Sequence, residues 1–386
     1  MTAYGVFSTP QDDMPRIGFL DDDGWVLDLR SAGADGALGD ANDLVQAPSL
    51  NPLLAAGHDA WSDVAAAVEA VAARRDRALL DPAALTMHLP FVVGDYVDFY
   101  SSIEHATNLG LILRPDGEPL LDNWRHMPVG YHGRAGTVVV SGTPVRRPWG
   151  QTRPTEGDSP NFGPTRMLDF ELEVAFVTGD GPPLATPIPT VAAERHIFGL
   201  VLVNDWSARD LQSWEYQPLG PFLAKSFQTS VAPWVVPVSA LIDHRVAGPM
   251  QTPLPLPHLR SPEPRNLDVH LEVHLRTARM VEAGEPHAPI ASTNLSGMYW
   301  SLAQQLAHLT SNGATVRAGD LCASGTVSGS TPGSEGSLME RTWRGTRPIT
   351  LPNGEIRRFL EDGDEVRMTG RSGVIDFGSV VGRVWE

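Results

Sequence analysis

The chain has 386 residues, 42% of them hydrophobic, which is enough for one large core or for two domains. Lysine and arginine number 29 against 46 acidic residues, and the net charge of −17 disfavours nucleic acid and anionic membranes as partners. Cys322 is the only cysteine, so an internal disulfide is excluded and a reducing compartment is expected.

The opening residues, MTAYGVFSTPQDDM, lack the basic and apolar regions of a signal peptide, and no apolar run approaches a membrane span. A soluble cytoplasmic protein is expected. In chain order, PRIGFLDDDGWVLDLR reads as two short strands around an Asp-Gly turn. SLNPLLAAG has a capping residue and an early proline, and DAWSDVAAAVEAVAARRDR has acids early and arginines late, so both read as helices. To about residue 90 this makes a small separate α+β unit.

From FVVGDYVDFY onward the texture changes to strand-like runs divided by turns, and 37 glycines with 33 prolines fit many short strands. The runs are GTVVVSG, MLDFELEVAFV, IFGLVLVNDW, SVAPWVVPV, LDVHLEVHLR, GDLCASGTV and GSVVGRVW. Residues 142–165 form a long excursion and not a linker, because strand texture resumes unchanged beyond them. Helices are expected near SARDLQSW and near MYWSLAQQLAHLTSNG, which ends on an Asn-Gly stop. The fold class is α+β, β-dominated.

MLDFELEVAFV puts Leu168, Phe170, Leu172, Val174 and Phe176 on one side of a strand and Asp169, Glu171 and Glu173 on the other. A wet outer face explains this simply: carboxylates about 7 Å apart repel by only about 0.6 kcal/mol in water. An enclosed face would raise that to roughly 2.4 kcal/mol per pair and would require protonation or a cation. Asp205 ends the apolar run IFGLVLVNDW, and Asp98 interrupts apolar and aromatic neighbours in VDFYSS. Each alone reads as a cap or turn aspartate. Together with Glu171 and Glu173 they would offer four oxygen ligands and no thiolate, a set suited to Ca²⁺ or Mg²⁺.

Beyond Asp205, a helix opened by Ser207 would put Arg209 and Gln212 on one face, with Tyr216 and Lys225 following. Near a metal, Arg209, Gln212 and Lys225 would form a donor cluster for an oxyanion; otherwise this is a surface helix whose Arg209 pairs with an acid. His105 in SSIEHATNLG is a candidate general base by its company, against the ordinary reading of a structural histidine. His270, Glu272 and His274 share a strand face, but the apolar residues opposite favour a solvated sheet exterior. The phosphate loop, the dinucleotide fingerprint, the G-x-S-x-G elbow and H-E-x-x-H do not occur, so nucleotide chemistry and serine hydrolysis recede.

The strings DYVDFYSSIEHATNLG, MPVGYHGRAGTVVVSGTPVRRPWGQ, LDFELEVAF, IFGLVLVNDWSARDLQSWEYQPLGPFLAKSF and GDLCASGTVSGSTPGSEGSLME closely resemble the fumarylacetoacetate hydrolase family, in order, over about residues 91–386. Residues 1–90 match more loosely, in the position of a small SH3-like domain. The resemblance implies an N-terminal SH3-like barrel domain with helices over 1–90, then a large mixed β-sandwich roll, the metal-binding catalytic domain, over 91–386. It implies Asp98, Glu171, Glu173 and Asp205 as ligands of Ca²⁺ or Mg²⁺, with a second Mg²⁺ at Asp205, Lys225 and Thr229. Asp169 is not a ligand in the family, which narrows the three-carboxylate reading to the two glutamates.

By the same resemblance His105 is the general base, oriented by Glu340, and Arg209, Gln212 and Lys225 stabilise the oxyanion and carbanion. Tyr100, Arg114, Tyr131, Tyr216 and Thr326 would line the substrate site. The implied reaction is hydrolysis of the carbon–carbon bond of 4-fumarylacetoacetate, a β-diketo dicarboxylate, in the last step of tyrosine and phenylalanine degradation, by a homodimer. The alternatives are hydrolysis, decarboxylation or isomerisation of another keto acid such as an acylpyruvate, and a non-catalytic Ca²⁺-stabilised β protein. Ile103-Glu104 before His105, Gln228 in KSFQTS and the loop TPGSEGS depart from the family pattern; the first two bear on substrate preference.

Overall fold

The expected strand runs assemble in a computed structural model that describes residues 3–34, 36–74, 77–154 and 159–386. Arg75 of the late-arginine run and residues 155–158 of the excursion lie outside the described residues. A twelve-stranded sheet runs in the order Val26–Asp28, Asp12–Leu20, Ala3–Thr9, Trp234–Pro237, Ile197–Asp205, Leu172–Thr178, Leu321–Ala323, Tyr96–Phe99, Gly130–His132. Thr229–Val231, Val138–Val140 and Thr86–His88 branch from this path. A five-stranded sheet (Ala288–Asn294, His270–Arg276, Glu365–Ser372, Ile375–Trp385, Val145–Arg146) packs against it.

The fold is mixed α+β and strand-rich, with a small N-terminal part and a large sheet part. The hairpin around the Asp-Gly turn forms as read, with Leu20 opposite Val26. The expected SH3-like barrel, however, is not closed. Ala3–Thr9 pairs with Asp12–Leu20 on one side and crosses into the main sheet on the other, Tyr4 facing Val235 and Gly5 facing Trp234. Gly5 permits this junction: a Cβ there would stand 2.5 Å from the Trp234 ring. The helical segment Asn51–Arg74 breaks at Gly57 (φ 83°), as its two sequence segments suggest. Its Trp61 stacks edge-on to Phe198 of the main sheet at 5.3 Å.

Ile197–Asp205 and Leu172–Thr178 are buried on both faces. Leu172, Val174, Phe176, Leu200 and Leu202 face the second sheet, while Ala175, Val177, Val201 and Val203 face the N-terminal helices. Continuing that second face along each strand leads from Ala175 to Glu173, from Val203 to Asp205 and from Tyr96 to Asp98. The register aligns them, with Glu173 opposite Val203 and Asp98 opposite Ala323. One end of the apolar sheet face is therefore acidic.

His270, Glu272 and His274 behave as a solvated exterior, partly exposed while Leu271, Val273 and Leu275 are buried beneath them. The helix expected near residue 302 forms over Leu302–Thr310 with a Ser301–Gln304 capping box.

Candidate active site

Asp169, Glu171 and Glu173 are all buried, so the wet-face reading of MLDFELEVAFV does not hold. The strand is interrupted after Asp169, which pairs with Ser207, while Glu171 bridges Ser337 and Glu173 continues the main sheet. Two of the three carboxylates join a cluster. Asp98, Glu171, Glu173 and Asp205 bring one carboxylate oxygen each to within 4.8 Å of one another, all buried.

This donor set fits a hard divalent cation. Both Glu173 oxygens and Asp98 Oδ1 are buried and make no hydrogen bond to the protein. Buried anionic oxygens without partners cost several kcal/mol unless a cation is supplied. Burial, reinforced by the neighbouring carboxylates, pushes Asp98 and Glu173 well above the usual carboxylate range. Glu171 differs: against burial, Lys225 and Arg209 together hold it below that range. Lys225 Nζ lies 2.5 Å from Glu171 Oε2 and 2.8 Å from Asp205 Oδ2. Its pKa is raised, because those two carboxylates outweigh its burial.

Asp205 also accepts from Tyr131 Oη (3.1 Å), which projects from the strand paired with Asp98, and from Thr229 Oγ1 (3.1 Å), its opposite number in the sheet. Tyr131, Thr229 and the Lys225 ammonium already donate to both Asp205 oxygens, so a second ion at Asp205 would have to break these hydrogen bonds.

His105 sits in the helix Ile103–Leu113, which Ser102 caps through the His105 amide. Its Nδ1 is 2.6 Å from Glu340 Oε2, and its Nε2 points inward, 3.8 Å from Glu171 Oε1. Glu340 is fixed by Asn108 Nδ2 (3.0 Å), Ser328 Oγ (3.0 Å) and Ser337 Oγ (2.8 Å). Against burial, His105 first and then Asn108 and Ser337 keep its carboxyl below the usual range. Across the 2.6 Å contact a carboxylate can only accept, so Nδ1 carries the proton. The ring of Tyr100 packs edge-on to His105 at 5.2 Å.

A cavity of about 400 Å³ opens onto these groups. Tyr100, Arg114, Tyr131, Tyr216 and Thr326 all line it, as do Arg209, Gln212, Lys225 and His105. Glu173 and Asp205 lie behind the wall, and Glu340 backs His105 from a neighbouring cavity. Arg209 donates to Glu171 Oε1 (2.7 Å) and Gln212 Oε1 (3.2 Å), leaving its second terminal nitrogen without a partner. Thr326 Oγ1 is likewise unpaired. Cationic and hydroxyl donors thus converge on a pocket whose floor is acidic, an arrangement that can bind a polar anion and offset developing negative charge.

Sequence reasoning passed over Asn108, Ser328 and Ser337, which hold Glu340, and it dismissed Asp169. Serines in a Gly/Ser-rich loop carry no signal beyond flexibility, whereas Asp169 had one: a carboxylate alternating with the two glutamates, although the strand breaks between them.

The family described as fumarylacetoacetase N-terminal matches residues 3–90, and that described as fumarylacetoacetate (FAA) hydrolase C-terminal matches residues 96–385. The chain is 48% identical to the fumarylacetoacetase of Homo sapiens over 381 residues, covering 95% of this chain and 90% of the human one. It is 45% identical to the fumarylacetoacetase of Caenorhabditis elegans (99% and 94% covered) and 43% identical to that of Arabidopsis thaliana (95% and 89%). Among solved structures, the fold is similar to a fumarylacetoacetate hydrolase from psychrophilic Exiguobacterium antarcticum (TM-score 0.55, 18% identity, 100% and 99% covered). It is also similar to a 2-hydroxyhepta-2,4-diene-1,7-dioate isomerase from Mycobacterium marinum (TM-score 0.52, 16% identity, 100% and 98% covered).

Proposed function

The chain belongs to the fumarylacetoacetase family, and from that premise we propose that it hydrolyses 4-fumarylacetoacetate to fumarate and acetoacetate. The observation that carries the reading is one cavity against which lie a buried carboxylate cluster, a His–Glu pair, and Arg209 and Lys225, one Arg209 nitrogen being without a partner. Asp98, Glu171, Glu173 and Asp205 would hold a Ca²⁺ or Mg²⁺ ion, which supplies Lewis-acid polarisation of a diketone.

Glu340 fixes the Nδ1–H tautomer of His105, so the inward-facing Nε2 is free to take a proton from water. The hydroxide attacks the carbonyl beside the fumaryl group. Arg209 and Lys225, with Gln212, face the oxyanion that forms. As it collapses, the bond to the acetoacetate carbon breaks, that carbon leaves as an enolate, and the imidazolium returns the proton to it. Arg114, Tyr100, Tyr131, Tyr216 and Thr326 would seat the dicarboxylate.

Three further readings rest on the resemblance and composition. We divide the chain at residues 1–90 and 91–386, supported by the change of texture near residue 90. A homodimer follows from the resemblance, and a cytoplasmic location from the lone buried Cys322. Among the described residues no helix is long and apolar enough to cross a membrane.

The test is incubation of metal-loaded protein with fumarylacetoacetate and, separately, with acylpyruvates, identifying products directly. Preferred turnover of fumarylacetoacetate supports the reading. Preferred turnover of an acylpyruvate replaces it with another hydrolase of keto acids, and metal binding without any turnover with a binding protein.

A further inference from the structure

Asp169 is fully buried and lies outside the carboxylate cluster, yet its side chain is saturated. Oδ2 accepts from Arg209 Nε at 2.8 Å and from the Met339 amide at 2.9 Å. Oδ1 accepts from the Leu338 and Phe170 amides, each at 2.8 Å. Four donors therefore fill two oxygens, two apiece.

The partners make this arrangement informative. Arg209 lines the cavity and spends Nε on Asp169 and one terminal nitrogen on Glu171 and Gln212, which leaves the other terminal nitrogen buried and without a partner. Leu338 and Met339 begin the short helix Leu338–Arg341, whose next residue, Glu340, holds His105. One carboxylate thus touches both the guanidinium on the oxyanion side of the cavity and the backbone that delivers the base's partner. These two elements are more than 120 residues apart in the chain, and at Asp169 they share a single side chain.

We infer that Asp169 is a positioning residue, setting Arg209 and the Glu340–His105 pair in fixed relation to each other. The inference rests on the proposed hydrolysis for its kinetic arm only. Chemistry makes a carboxylate necessary: asparagine converts one oxygen into an amide NH₂. Because each oxygen takes two donors, either orientation of that amide would face two N–H groups with an N–H. The pair so opposed is Arg209 Nε with Met339, or Leu338 with Phe170.

The test uses the full chain with Asp169→Asn and, as an independent variant, Arg209→Lys, which keeps Asp169 but removes the Nε donor. Asp169→Asn should lower kcat on fumarylacetoacetate by roughly 10–100-fold, the usual effect of losing an orienting partner. Its metal affinity by calorimetry should stay within about threefold of the parent, since Asp169 holds no ligand in place directly. The further loss on adding Asp169→Asn to Glu340→Gln should be smaller than in the parent. Hydrogen–deuterium exchange of the segment 337–342 should quicken in both Asp169→Asn and Arg209→Lys.

Near-parental kcat in Asp169→Asn, or a loss accounted for wholly by lost metal, overturns the inference. If Asp169→Asn gives no folded protein, exchange in Arg209→Lys decides, and an unchanged rate at 337–342 overturns it. If the parent fails to turn over fumarylacetoacetate, the proposed function falls, while exchange and calorimetry still judge Asp169.

Discussion

His105 Nδ1 and Glu340 Oε2 lie 2.6 Å apart although 235 residues separate them in the chain. The contact is buried on both sides, and three further side chains converge on the same carboxylate. The imidazole is therefore fixed in tautomer and direction before any substrate arrives, with Nε2 facing the cavity.

Replacing His105 by alanine should cost on the order of 10²–10⁴ in turnover, the usual worth of a positioned base. Metal content should be unchanged, because His105 is not among the clustered carboxylates. Glu340→Gln combined with His105→Ala should be less than additive, since the two act as a unit. A double-mutant kinetic cycle, with metal measured on each variant, reads both outcomes.

Chelation should abolish activity, and Ca²⁺ or Mg²⁺ should restore it. Glu173→Gln sharpens this expectation. Both Glu173 oxygens lack protein partners and its neighbours are acidic, so folding without metal drives this carboxyl toward its protonated form, a cost that a neutral amide does not carry. Melting should show the metal-free variant a few degrees more stable than the metal-free parent (~1 kcal/mol). Calorimetry should show weakened metal binding.

Lys225→Met should do the reverse to stability. Lys225 bridges Glu171 and Asp205, so its loss leaves the buried Asp205 without a cation and Glu171 with Arg209 alone. The metal-free variant should melt lower, bind the ion at least as tightly as the parent, and lose roughly 10²–10³ in kcat for want of a cationic donor at the cavity.

Gly325 has φ +76°, and a Cβ there would stand 2.3 Å from the Phe99 carbonyl oxygen, a backbone atom that cannot swing aside. Gly325→Ala should destabilise by roughly 1–3 kcal/mol and disturb the adjacent Thr326. Gly136→Ala is the control: nothing lies within 4 Å of its added Cβ, and it should change stability by less than about 0.5 kcal/mol. Denaturant titration of both variants checks the contrast.

Much of the site was legible as anomaly. Asp98 and Asp205 stand out because charged residues end or interrupt apolar runs, and the structure buries both. The alternation through Glu171 and Glu173 was ambiguous, since enclosure depends on Tyr96–Phe99 and Leu321–Ala323 arriving from distant parts of the chain. Period-two counting also grouped Asp169 with the glutamates, because it cannot see the break that sends Asp169 to Arg209. The helix that carries His105 was missed: its Ser102 cap is followed at the third position by histidine, not by the glutamate or glutamine of a capping box. The open N-terminal sheet turns on the pairing of Ala3–Thr9 with Trp234–Pro237, a contact between the start of one expected unit and the interior of the other.

The central claim is tested most directly by the products of a metal-loaded reaction on 4-fumarylacetoacetate in ¹⁸O-labelled water, sampled early. Attack by water on the carbonyl beside the fumaryl group predicts fumarate and acetoacetate in equal amounts, with the new oxygen in a fumarate carboxylate. Cleavage at the other ketone, giving malonate and acetylacrylate, would contradict the account, as would intact substrate after saturating Ca²⁺ and Mg²⁺.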